Sequence, residues 1–192
     1  MSEYTVVADA GEALVRVLWE EMQNSAPVNA LIDTEARISL LSPFELREND
    51  SVRQSLYLYR VVENPYVKNQ VMQTGPGRLL RRNPLTVDLF YLVTPLLGTP
   101  REQQIVLGKV LQVFHDRAIL QGPDVGPLAI ADEELRIVLN PVTLEETTRV
   151  WEALQMSYRL SICYAVRVVI VDSSRSRLTQ PVVDRTNTYA GT

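Results

Sequence analysis

The chain has 192 residues, of which 46% are hydrophobic and 22% charged, and its formal net charge is -4 at pH 7. This composition is typical of one folded globular domain, and the mild negative charge provides no electrostatic footprint for binding DNA or RNA. One cysteine can form neither an internal disulfide nor a thiolate metal cage.

Membrane and export signals are also missing from the pattern. There is no apolar stretch of about 18 residues, so we expect no membrane-spanning helix. The first five residues, Met-Ser-Glu-Tyr-Thr, do not begin a basic region followed by an apolar run. We therefore expect no secretory signal, and synthesis in the cytoplasm.

A helix and two strands are predicted in the first third of the chain. Apolar residues recur at helical spacing between positions 8 and 24, at Leu14, Val17, Leu18 and Met22. Residues 36–43 then alternate in polarity, with Ile38 and Leu40 on one face, and residues 52–62 form a second strand.

The second strand leads into a long connection. Leu56 and Leu58 lie on one face of the strand, opposite Tyr57 and Tyr59. Residues 63–84 are polar and contain Gly-Pro-Gly. A connection of this length without secondary structure predicts a mobile or partner-ordered loop.

A strand and a helix follow this connection. One face of residues 85–94 is apolar and consists of Leu85, Val87, Leu89, Tyr91 and Val93. Thr99, Pro100 and Glu102 predict a helix start with a capping box. The apolar face of that helix consists of Leu107, Val110, Leu111, Phe114 and Ala118.

The last third contains two predicted strands around a short helix. In residues 134–139 the apolar positions are Leu135, Ile137 and Leu139. A second capping box, formed by Thr143 and Glu146, opens the helix. The last strand, 160–172, is the longest, and its alternation places on one face Leu160, Ile162, Tyr164, Val166, Val168 and Ile170.

These elements predict one α+β (or α/β) domain over residues 1–172, with a mixed, mostly antiparallel sheet of about five strands and helices packed on it. Residues 173–192 are predicted to be an extended or arm-like tail, too poor in apolar residues to pack as a separate domain. Its one apolar cluster, Pro181, Val182 and Val183, can lie extended, with Pro181 at the start of a strand.

The second face of the predicted sheet mixes apolar and charged side chains. It carries Tyr57, Tyr59, Phe90, Leu92, Val138, Val169 and Val171 among Arg53, Asp88, Arg136 and Arg167. Such a mixture is typical of a protein interface. The alternative is that the N-terminal helix covers this face.

No residue pattern predicts catalysis, a cofactor or a metal. The only histidine, His115, lies near a predicted helix C-terminus, and Cys163 lies in the last strand, so we interpret both as structural. Glu145 and Glu146 fit the first turn of a helix. The sequence contains no phosphate loop and no HExxH motif. We expect a protein that is not an enzyme.

Arg78, Arg81 and Arg82, with Lys68, form the one local basic concentration. They are either solvated loop residues or a docking site for an acidic partner or phosphates. The loop lacks the stacking aromatic residues of single-strand binders, so nucleic acid is not expected. The candidate partner-binding residues are Tyr57, Tyr59, Arg78, Arg81, Arg82, Pro181, Val182 and Val183.

Five segments, in order, resemble the N-terminal domain of the cap, or tail-terminator, proteins of phage-tail-like contractile injection systems. They are 56-LYLYRVVENP-65, 82-RNPLTVDLFYLVTPL-96, 105-IVLGKVLQVFHDRAIL-120, 135-LRIVLNPVTLEETTRVWEAL-154 and 158-YRLSICYAVRVVIVDS-173. Together they cover nearly all of the chain. None contains a catalytic motif, so the specificity of the resemblance comes from the long ordered set.

The resemblance implies an assembly role. Such caps resemble six-fold rings that close the distal end of an inner tube and hold the last layer of a contractile sheath. We therefore expect a homohexameric ring, a tube protein and a sheath protein as partners, without nucleic acid or membrane insertion. The expected location is a contractile particle, released or anchored. Family members often carry further sequence after this domain.

The resemblance also bears on the tail. Contractile sheaths resemble meshes in which subunits exchange terminal arms as added strands. Residues 181–185 are therefore predicted to pair with a sheath or a neighbouring cap by β-augmentation, unless the tail is a disordered terminus.

Two other functional classes stay open. One is a related tail component, such as a tube-end or baseplate adaptor, which ring size and particle location would distinguish from a cap. The other is a small ligand-binding domain or enzyme, which a deep polar pocket near His115 would support.

Overall fold

The computed structural model describes residues 4–65, 79–81, 85–96, 98–122, 124, 134–171 and 176–178. The helices are α1 (Val6–Gln23), α2 (Val28–Leu31), α3 (Pro100–Asp116) and α4 (Leu144–Ala153). The strands are β1 (Ile38–Ser39), β2 (Gln54–Glu63), β3 (Leu79–Arg81), β4 (Leu85–Pro95), β5 (Ile119–Leu120), β6 (Leu135–Leu139), β7 (Ile162–Val171) and β8 (Ser176–Leu178).

Six of these strands form one sheet, in the order β1-β2-β4-β7-β6-β5. Strand β1 runs parallel to β2, and every other neighbouring pair in the sheet is antiparallel. Strands β3 and β8 form a separate antiparallel pair. The prediction of an α+β domain with a mixed, mostly antiparallel sheet is confirmed, with six strands in the main sheet.

Helices α1 and α3 pack on one face of the sheet, which we call the core face. Nearly all of the large buried side chains belong to one continuous core there, including Leu14, Leu18, Leu89 and Phe114. Burying each such side chain contributes about 1.5–3 kcal/mol. The alternative in which the N-terminal helix covers the second face is wrong, because α1 contributes its apolar stripe to this core.

Helices α3 and α4 begin where the capping boxes predict. The Thr99 hydroxyl accepts a hydrogen bond from the Glu102 N–H (3.3 Å), and the Glu102 carboxylate accepts one from the Thr99 N–H (3.0 Å). Thr143 and Glu146 make the same reciprocal pair at 3.2 and 2.9 Å. Each box satisfies two N–H groups that helix geometry leaves without a partner.

The predicted strand at 36–43 is wrong for most of its length. A 3-10 turn spans Glu35–Arg37, and only Ile38–Ser39 pair with β2. The Arg37 guanidinium holds this turn, donating to the Asp33 carboxylate (2.8 Å) and to the Ser51 carbonyl (2.9 Å). Leu40, predicted to face inward, is 37% exposed. Four other residues predicted on apolar faces are also exposed, namely Leu85, Leu111, Leu139 and Leu160.

A β-bulge changes which residues of β7 reach the core. Val166 pairs with Leu89, but Val169 pairs with Val87, so β7 has one extra residue between these pairs. Val169 lies in the main core and Val171 packs against it. The predicted alternation, which put Val169 and Val171 on the second face, is therefore wrong beyond the bulge.

The connection 63–84 is predicted to lack secondary structure and the tail 173–192 to be extended or arm-like, and each contains a three-residue strand. Leu79 of β3 pairs with Leu178 of β8, and Arg81 pairs with Ser176. Two segments far apart in sequence are therefore held together beside the main sheet, which neither segment's own pattern indicated.

Candidate protein-interaction surface

The second face of the sheet is partly covered by α4. Leu92, Cys163 and Trp151 form a small buried cluster there, against which Tyr59 packs. The Trp151 indole N–H donates a hydrogen bond to the Ser161 hydroxyl (3.2 Å). These contacts fasten α4 to the sheet through one large side chain.

Tyr59 lies at the edge of this cluster. Burial raises the pKa of Tyr59 to about 12, and its interaction with the neighbouring Cys163 thiol contributes to the increase. Burial also raises the pKa of the Cys163 thiol, which makes the reactive thiolate scarcer. The environment of Cys163 thus fits a structural residue.

The rest of the second face is only partly exposed, since Ala165 is buried while the side chains around it reach solvent. Arg60, Phe90, Ala165 and Val138 stand side by side on β2, β4, β7 and β6. One step along the sheet, Arg136 of β6 is directly opposite Arg167 of β7. We call these six residues the arginine face.

The arginine face has an apolar floor and a cationic rim. The Arg60 guanidinium carbon lies 5.1 Å from the centre of the Phe90 ring, a cation–π distance. Val138 is 39% exposed beside them. Arg60, Arg136 and Arg167 are all exposed.

The cations of this face are only partly neutralised. Arg136 donates to the Glu134 carboxylate at 2.8 Å. Asp88, the acidic residue of the same sheet face, accepts a hydrogen bond from the Asn64 side chain at 3.0 Å. Within the described ranges, Arg60 and Arg167 have no carboxylate at ion-pair distance. Two arginines directly opposite each other on neighbouring strands repel.

A groove of opposite character lies between α1 and the segment after β1. Its cavity volume is about 500 Å³, and its walls include Glu12, Glu35, Arg16, Leu40 and Leu41. Leu41 is 50% exposed. Gly11 allows the close approach of Leu40 to α1, because a Cβ at this position would lie 3.1 Å from the Leu40 Cδ1. We call this the acidic groove.

The described part of the chain contains no candidate metal cluster. No group of three or more His, Cys, Asp or Glu in it could hold a metal ion. His115 is exposed in the last turn of α3. None of the helices in this part is long and apolar enough to cross a membrane.

The structure describes only some of the predicted partner-binding residues. Tyr57 and Tyr59 lie on β2, and the backbone of Arg81 lies on β3. Arg78, Arg82, Pro181, Val182 and Val183 lie outside the described residues, so whether the candidates meet in space stays a prediction.

Sequence reasoning identified Phe90, Val138, Arg136 and Arg167 as members of a mixed face, but it missed Arg60. A bulge between Leu58 and Arg60 changes the side of the sheet on which Arg60 lies. The acidic groove was missed as well, since its two walls come from separate elements.

Comparison with known proteins gives a family and two solved structures. The chain aligns over its full length with the PVC sheath/tube terminator of an extracellular contractile injection system in its extended state, at a TM-score of 0.64 and 17% identity, covering 65% of that protein. It also aligns over 88% of its length with the anti-feeding prophage tube-terminating cap, at a TM-score of 0.53 and 22% identity, covering 62% of that cap.

These similarities show a shared fold, and the chain spans less than two thirds of each of these proteins. No curated protein matches it. The family described as the Pvc16 N-terminal domain matches residues 9–185. That match covers almost the whole chain and confirms the resemblance found in the sequence. The chain belongs to the Pvc16 N-terminal domain family.

Proposed function

We propose that this chain is a structural cap, or tail terminator, that closes the distal end of the tube and anchors the last sheath layer of a contractile injection system. The observation that carries the proposal is the match of residues 9–185 to the Pvc16 N-terminal domain. Its support is the fold shared with a sheath/tube terminator and with a tube-terminating cap.

The physical design of the molecule supports a binding role rather than a catalytic one. A sheet with one fully packed face forms a rigid frame, and its other face presents arginines around an apolar floor. Rigid elements hold interface residues in place without the entropy loss of ordering a loop, so more of the contact energy appears as affinity.

The partners in this proposal are the tube protein, the sheath protein and further copies of the chain. Six copies form a ring by head-to-tail contacts, which close on themselves at a fixed rotation. The particle is either released or anchored. Any symmetry of the cap other than six-fold or a subgroup of it would contradict the ring.

The test compares electron micrographs of particles from cells with and without this protein. Without it, we expect tubes that lack a closed end and sheaths that detach, and adding the purified protein back restores both. Normal particle ends in its absence would refute the proposal. Labelled protein found at the baseplate instead would assign the chain to the alternative class of adaptor.

The basic cluster of Arg78, Arg81 and Arg82 is proposed to contact an acidic surface of the tube, the sheath or a neighbouring cap. Replacing all three with Glu should weaken capping and leave the melting temperature nearly unchanged, since exposed charges contribute little to stability. Normal capping by this triple variant at low salt would exclude a docking role for these three arginines.

The tail is proposed to add a strand, through residues 181–185, to a sheath subunit or a neighbouring cap. Because β8 pairs with β3, the informative truncation removes residues after Leu178 and keeps that pair intact. Loss of sheath attachment is expected in this variant but not in a truncation after Arg185. If the shorter chain attaches sheath normally, the tail has no such role.

A further inference from the structure

Resting on the proposed ring, we propose that the arginine face of one copy docks into the acidic groove of the next copy. The two surfaces lie on different parts of the chain, one on the second sheet face and one beside α1. A contact between two different surfaces is head-to-tail, which is the type that builds rings.

The first support is the unrelieved charge of the arginine face. Arg136 and Arg167 face each other across β6 and β7, where Cβ atoms are about 4.5–5.5 Å apart and like charges repel. Glu134 neutralises part of this charge, from the Arg136 side. A carboxylate arriving between the two guanidinium groups would convert the repulsion into paired, charge-assisted hydrogen bonds.

The second support is complementarity between two surfaces of the same chain. The acidic groove presents Glu12 and Glu35, neither of which has a cation at ion-pair distance in the described part of the chain. Arg16 also lines the groove and reduces its negative charge without cancelling it. Carboxylates at the groove therefore match guanidinium groups at the arginine face in sign and in hydrogen-bonding type.

The third support is the apolar surface at each site. Leu40 and Leu41 are 37% and 50% exposed in the groove, and Val138 is 39% exposed on the arginine face. A central apolar contact ringed by polar groups is the usual anatomy of a protein interface, and arginine is enriched there. A small anion would satisfy the arginines but would leave these apolar side chains in water.

Photo-crosslinking in assembled particles tests the contact directly. A benzophenone amino acid replaces Val138 at the centre of the arginine face, or Leu144 on the exposed start of α4 as the control. We expect adducts between two copies from position 138 alone, with the attached peptide derived from the groove, residues 35–44. An adduct with another particle protein, or none at all, would overturn the inference.

The same particles separate this inference from the function on which it rests. If the protein is found at the particle end and the adduct is absent, the docking contact is wrong and the cap proposal stands. If the protein is absent from particle ends, the proposed function itself fails, and the docking contact fails with it.

Charge reversal provides a second, independent test. The pair Arg136→Glu and Arg167→Glu, or the pair Glu12→Arg and Glu35→Arg, should each reduce incorporation into particles roughly tenfold or more, because like charges would then meet. All four changes in one chain should restore incorporation, since both surfaces are then reversed. Failure of the fourfold variant, with an unchanged melting temperature, would contradict the contact.

The matched control reverses an ion pair that belongs to neither surface. Glu145 and Arg149 on α4 are exposed and paired at 2.6 Å. Exchanging their charges should leave incorporation unchanged, which shows that the effect depends on the arginine face and the acidic groove. A tenfold loss in this control would mean that surface charge in general is responsible.

Discussion

The two faces of the sheet are packed very differently. On the core face, α1, α3 and all six strands of the main sheet share one continuous core. On the second face, Trp151 of α4 forms a small buried cluster with Leu92 and Cys163, and most of the arginine face stays exposed. One side of the sheet therefore supplies most of the stability, and the other side can carry interface residues because the fold does not depend on burying them.

The largest expected loss of stability comes from a substitution on the core face. Phe114 is 2% exposed, and its ring lies 4.9 Å from that of Tyr164. Phe114→Ala should lower the free energy of unfolding by about 3–5 kcal/mol, through lost burial and the cavity that remains. Urea unfolding followed by circular dichroism measures this. Leu111→Ala, an exposed position on the same helix, is the control and should change stability by no more than about 0.5 kcal/mol.

The next largest effect comes from a substitution that removes the packing of α4 on the second face. Trp151→Ala removes the side chain that fastens α4, but we expect a smaller loss of global stability than for Phe114→Ala because α4 can detach from the remaining core. Hydrogen exchange should become faster in the amides of α4 while β4 and β7 stay protected. Trp151→Phe keeps an aromatic ring but loses the bond to Ser161 and part of the buried indole surface, so its effect should be smaller than that of Trp151→Ala. Equal acceleration throughout the sheet would show that the two faces unfold together.

A smaller loss of stability is expected when the capping box of α3 or of α4 is removed. Thr99→Ala and Thr143→Ala each remove the hydroxyl of a capping box, at a cost of about 1 kcal/mol. The first should lower global stability, and the second should mainly destabilise α4, as hydrogen exchange would show. Thr→Ser at either position keeps the hydroxyl and serves as the control. A global effect from both variants would contradict the independence of α4.

The smallest effect concerns pH. Hydrogen bonds from Thr99 lower the pKa of Glu102, and hydrogen bonds from Thr143 lower the pKa of Glu146. Because the folded pKa is the lower one, this stabilisation is present above the ordinary glutamate pKa and is lost as the pH falls through the folded value. Both carboxylates are exposed, so the effect on melting temperature should be slight. Carboxyl titration by NMR checks both shifts, and Thr99→Ala should reduce that of Glu102 alone, because the backbone N–H of residue 99 still donates to its carboxylate.

Features that depend on neighbours along the chain could be predicted from the sequence alone. Both capping boxes join residues three positions apart, so they could be recognised without tertiary structure. The core face of β4 followed from strict alternation at Val87, Leu89, Tyr91 and Val93. The family could also be recognised, because the ordered segments are themselves a property of the sequence.

Features that depend on partners distant in sequence could be seen only in the tertiary structure. A bulge exists only relative to the neighbouring strand, so the alternation of β7 could not show that Val169 turns to the core. The short amphipathic helix α4 could have packed on either face, and only its contacts with Tyr59, Leu92 and Cys163 show that it lies on the second face. The arginine face and the acidic groove each combine residues from several elements. Such surfaces form only when sheet register and helix packing bring those elements together.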